Sequence, residues 1–121
     1  VVVGLVGDLG AGKTTLSKII AKQMGVQDGV VSPTFNIMKI YKTDDIRFET
    51  FIHMDAYRIE TSEEVESLNQ SLSLQKYFTM PNTLVFIEWP QNIKSILPAS
   101  AHYVEIMHDG QNPEKRQISL Y

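Results

Sequence analysis

The chain has 121 residues, 43% of them hydrophobic and 21% charged, with a net charge of −3 and no cysteine. That suits one domain with a core large enough to fold unaided, excludes disulfides and Cys-based zinc sites, and leaves no apolar run near the ~20 residues of a membrane helix. The acidic balance and three scattered arginines, Arg47, Arg58 and Arg116, argue against a broad nucleic-acid footprint.

In chain order, VVVGLV (residues 1–6) is β-branched, apolar and uncharged, as a buried strand of a parallel sheet is. The strand opens at residue 1, so the whole protein is expected to carry a segment before it. GDLGAGKTTL (residues 7–16) fits G-x-x-x-x-G-K-[ST] without a mismatch, and TTLSKIIAKQMG continues as a helix with Leu16, Ile19, Ile20 and Met24 spaced by three and four and Gly25 at its stop. A P-loop between strand and helix turns backbone N–H groups inward at a positive helix terminus, which makes it an anion site. Asp8, Leu9, Gly10, Ala11, Gly12, Lys13, Thr14 and Thr15 are the candidate nucleotide cradle, with Lys13 on the β- and γ-phosphates and Thr14 on Mg²⁺.

SPTFNIMKIY (32–41) and IRFETFIHMD (46–55) read as an antiparallel hairpin about the polar residues 42–45. Thr61 and Glu64 fit a capping box, with one or two short helices to about Phe78. TLVFIEW (83–89) is the second buried-strand candidate, QNIKSIL a short helix ended by Pro98, and AHYVEIMHD with KRQISLY a closing hairpin. The fold expected is α/β, a P-loop NTPase-like mixed sheet with a parallel core, antiparallel hairpins and flanking helices, forming a single ATPase domain over residues 1–121.

Hydrolysis at a P-loop needs a carboxylate at the end of a neighbouring strand. Glu88 closes the apolar run 84–87 and is the first candidate; Asp55 closes 51–54 in a more polar setting, where it also suits a turn-starting residue. Lys13, Glu88 and Asp55 are therefore the expected catalytic residues, and Thr14 and Glu88 the expected metal-holding ones. Thr34 reads equally as part of a switch segment over the γ-phosphate or as a buried or edge-strand threonine, His53 as a packed strand histidine, Trp89 as core or rim, and Arg58 as a partner of a phosphate, of Glu60 or of another acid. No N-K-x-D sequence is present to read guanine, which favours ATP.

The four patterns GDLGAGKTTL, SPTF, HMDAYR and IEWP, in this order and spacing, resemble the TsaE (YjeE) family, bacterial P-loop ATPases required with the TsaB and TsaD proteins for making threonylcarbamoyladenosine in tRNA. The resemblance runs from Gly7 to Pro90. It implies ATP and Mg²⁺ as cofactors held by Lys13 and Thr14 with Thr15 beside them, Glu88 and Trp89 in a Walker B-like motif, and TsaB and TsaD as partners. The lack of cysteine together with the nucleotide motif favours the cytoplasm, no apolar run suggests a membrane helix, and the acidic balance agrees with work through protein partners instead of a strong direct grip on tRNA. Two other readings share the same loop: a small-molecule kinase, which would need more cations than three scattered arginines supply, and a nucleotide sensor that does not hydrolyse.

Overall fold

The computed structural model describes residues 1–8, 10–26, 37–108, 111 and 116–120. The elements run β1 (Val2–Val6), α1 (Lys13–Gln23), β2 (Met38–Lys42), β3 (Thr50–Asp55), α2 (Ser62–Leu72), α3 (Leu74–Phe78), β4 (Thr83–Glu88), a 3₁₀ segment (Pro90–Ile96), β5 (His102–His108) and β6 (Arg116–Leu120). Among the described residues the strands form one sheet in the order β2-β3-β4-β1-β5-β6. The inner four are parallel, and β2 and β6 pair antiparallel at the two edges. The mixed α/β fold expected from the sequence is thus the fold observed, with both hairpins in place.

Period-two alternation sends the parallel strands' side chains to two covered faces. On one face Val2, Ile52, Met54, Val85 and Ile87 pack with Val65, Leu74, Phe78, Ile93 and Ile96 from α2, α3 and the 3₁₀ segment. On the other, Leu5, Phe51, Leu84 and Phe86 meet Ala21 and Met24 of α1. With neighbours on both sides and cover on both faces, every residue of β4 is buried, which explains its unbroken apolar run.

Two local expectations are corrected. The apolar spacing of α1 suggests that Ile19 faces the core, yet Ile19 is 52% exposed. The buried stripe is instead Lys13, Ser17 and Ala21, small or site-facing residues that let the helix lie close to the sheet. The second arm of the first hairpin becomes strand only at Thr50, not at residue 46. Asp45 Oδ1 accepts from the N–H groups of Arg47 (2.7 Å) and Phe48 (3.3 Å), which holds residues 45–48 in a turn and leaves Ile46 in solvent. The short helix expected after β4 is present as a 3₁₀ segment, with Pro90 at its first position. The cap of α2 is as expected, Thr61 accepting from the Glu64 N–H at 3.2 Å.

Gly4 of β1 is closely packed beneath the site. A Cβ there would stand 2.9 Å from Pro90 Cβ and Cγ and 2.9 Å from Tyr103 Cδ1. The pyrrolidine ring of Pro90 does not yield easily, and the Tyr103 ring would have to turn away, so Gly4→Ala is expected to destabilise the fold by ~1–3 kcal/mol. Urea unfolding should show a lower midpoint at an unchanged m-value.

Candidate functional site

The carboxyl ends of β1, β3 and β4 meet at one edge, because Leu5 and Asp55 both stand in register with Glu88. That edge is where ligands bind in open α/β sheets. The glycine loop leaves β1 here. Gly10 (φ +79°) and Gly12 (φ +111°) hold left-handed backbone, and an added Cβ at either would meet no described atom within 4 Å. Gly12 is the N-cap of α1, and the first turn has neither a side-chain cap nor an acid. Its inward N–H groups are thus left for an anion. Ala11, fully buried, closes the loop by donating its N–H to Asp8 O at 3.1 Å. Thr15 and Asp8 are exposed beside it. Leu9 and Thr34 lie outside the described residues.

Lys13 is 5% exposed at the first position of α1. Its Nζ donates to Gly7 O at 2.5 Å and sits 3.8 Å from the centroid of the Trp89 ring. Burial holds the ammonium below the ordinary lysine pKa of 10.5, against the opposing pull of Glu88, Asp55 and Asp8. Trp89 reaches over it from a left-handed backbone (φ 58°, ψ 51°) directly after β4, and packs against Tyr57 with ring centroids 5.1 Å apart. Trp89 is therefore a wall of the site, a role its isolated position in the sequence does not reveal.

Glu88 is 4% exposed and is the hub. The Thr14 hydroxyl donates to its carboxylate, 2.9 Å from Oε1 and 3.2 Å from Oε2. Oε2 lies 2.6 Å from Nε2 of His53, which has no exposed surface. So His53, expected only as packing, is part of the acid's surroundings. The signal that could have found it is parity: His53 and Asp55 alternate on one strand and so share the face of the sheet that Glu88 occupies. Asp55 performs the turn-starting role, its Oδ1 accepting from the Tyr57 N–H at 3.0 Å, while its charge is felt at Lys13. Arg58 and Glu60 are both exposed, and among the described residues no ion pair joins them.

These residues fit a magnesium-bound nucleoside triphosphate by their chemistry. The cradle is open where phosphate would approach, and a hydroxyl and a carboxylate stand together at its end. Among the described residues no group of three or more His, Asp or Glu side chains is able to hold a metal by itself. Mg²⁺ matches such a sparse donor set because it keeps several waters and takes phosphate oxygens as ligands.

A strand feeding a glycine loop into a helix, with an acid ending the adjacent parallel strand, is the fold of the P-loop NTPase class. Within that class the chain belongs to the TsaE family: the family model described as "Threonylcarbamoyl adenosine biosynthesis protein TsaE" matches residues 1–118. It is 38% identical over 120 residues to the tRNA threonylcarbamoyladenosine biosynthesis protein TsaE of Rickettsia felis, covering 98% of this chain and 64% of that protein. To the protein of the same name in Bacillus subtilis it is 36% identical over 119 residues, covering 98% and 68%. The crystal structure of Bacillus subtilis YdiB superposes with a TM-score of 0.70 at 30% identity, covering 98% of this chain and 66% of that one. The chain thus spans about two thirds of the length of these relatives.

Proposed function

We propose that this protein binds Mg-ATP, hydrolyses it, and acts with TsaB and TsaD in threonylcarbamoyladenosine modification of tRNA. Family membership supports the pathway. The observation that carries the chemistry is the Thr14 hydroxyl on the Glu88 carboxylate at the mouth of the glycine loop. A magnesium ion bound with the nucleotide supplies charge neutralisation of the phosphate oxygens. The N–H groups of the loop and of the first turn of α1 bind the β-phosphate. Lys13 leaves Gly7 O and meets the phosphates. Thr14 would offer its oxygen to the ion while its O–H keeps donating to Glu88, and Glu88 would orient the attacking water. Trp89 and Tyr57 shield the lysine side of the site from solvent.

The packed sheet supports a single ATPase domain over residues 1–121. No described helix is long and apolar enough to cross a membrane, and the pathway supports a cytoplasmic location. The acidic net charge favours work through protein partners over a direct grip on tRNA.

Lys13 is the one cation within the glycine loop and must exchange a carbonyl and an indole for phosphate. Turnover of the protein alone is therefore slow, and partners that order the β3 end around the nucleotide raise it. Partner affinity is expected to differ ~5–150-fold between the ATP and ADP states. Calorimetry of the full-length protein with TsaB and TsaD in ATP analogue, ADP or no nucleotide measures it. Equal affinity in all three removes the switch.

A further inference from the structure

We propose that His53 is a positioning residue that clamps Glu88 so that its carboxylate serves the magnesium shell. The inference rests on the Mg-ATP reading above. Thr14 alone does not orient Glu88, because its single hydroxyl proton is shared between Oε1 at 2.9 Å and Oε2 at 3.2 Å. His53 breaks that near-symmetry: Nε2, 2.6 Å from Oε2, engages one oxygen and leaves Oε1 with Thr14. A three-torsion side chain that would otherwise sample several rotamers is thereby held at two points.

The cost of this arrangement argues that the contact matters. His53 is fully buried on the face of β3 that also carries Phe51, and Phe86 stands opposite it in the register. Its Nδ1 has no hydrogen-bond partner among the described residues. An apolar side chain would fill such a place without an unpaired buried nitrogen. One tautomer fits the surroundings. With the proton on Nε2 the ring donates to Glu88 and Nδ1 is a bare acceptor; with it on Nδ1 a buried donor is orphaned and two lone pairs face each other. Groups that hold a ligating carboxylate or imidazole from behind govern metal affinity or activity by ~10–100-fold.

Two variants and one spectrum test it. His53→Phe keeps a ring and removes the donor, whereas His53→Gln carries an amide donor to comparable reach. Calorimetric ADP binding is measured in chelator and again with Mg²⁺. His53→Phe should bind ADP in chelator as the parent does and lose ~10–100-fold of the gain that Mg²⁺ brings, with His53→Gln recovering most of it. A full Mg²⁺ gain in His53→Phe overturns the clamp while the proposed function stands. If His53→Phe does not fold, His53→Gln decides: a retained gain supports the clamp and a lost one overturns it. Nitrogen-15 spectra of the parent, recorded without nucleotide or metal, should show the His53 proton on Nε2. A proton on Nδ1 overturns the clamp independently. A parent that binds no nucleotide overturns the proposed function and the metal role together, and the ring spectrum still reports whether the donor exists.

Discussion

Lys13→Ala is expected to lose nucleotide binding almost entirely. The glycine loop contributes dipoles but only this one positive charge, and three acids, Glu88, Asp55 and Asp8, bear on the same spot. Without the ammonium, a polyanionic triphosphate would approach an uncompensated negative site. Removing one member of a buried, hydrogen-bonded charge pair costs ~2–5 kcal/mol, which is roughly 30-fold to several-thousand-fold in Kd. The variant should remain folded, because in the free protein Lys13 is a desolvated cation and its removal relieves that burial cost. Calorimetry with Mg-ATP measures the loss, with urea unfolding as the control. Unchanged affinity in a folded Lys13→Ala protein would remove the P-loop from the account.

Glu88→Gln should instead leave nucleotide binding in chelator unchanged, forfeit no more than the ~10–100-fold gain that Mg²⁺ brings, and depress turnover further. The amide keeps the side chain's shape and can still accept from Thr14, but it brings no charge to the metal's shell or to the attacking water. Interactions that strengthen only in the transition state appear in kcat and not in affinity. The expected fall in kcat is ~10²- to 10³-fold, the range for removing one group that stabilises charge in the transition state. Asp55→Asn is the comparison. Its amide oxygen can still accept from the Tyr57 N–H, so the turn survives and the effect should be smaller. If Glu88→Gln keeps full activity and Asp55→Asn loses it, the metal-serving carboxylate is on β3 and not on β4.

What could be read from the sequence was what local chemistry determines. The glycine loop is legible because its residues act through their own backbone, and the run 84–87 because burial on both faces of a sheet leaves no alternation. Glu88 followed from ending that run. His53 did not follow, since its meaning comes from Glu88, 35 residues away and brought near only by the parallel pairing of β3 with β4. Trp89 is similar: nothing near residue 89 indicates that a left-handed backbone will carry the indole over Lys13. Ile19 misled because helical spacing marks an apolar stripe, whereas α1 turns its loop-facing line of Lys13, Ser17 and Ala21 toward the sheet. The start of β3 was set too early because the Asp45 side chain competes for the backbone N–H groups that an extended strand would use.

The most direct measurement is release of inorganic phosphate from Mg-ATP by the full-length protein, alone and with TsaB and TsaD, in the absence of any small hydroxyl acceptor. The account predicts slow release by the protein alone and a rise with the partners, by as much as ~10³–10⁵-fold if a partner supplies an arginine to the γ-phosphate. Glu88→Gln should abolish that rise. Release that is equally fast with and without partners, or that requires a small acceptor, would contradict it.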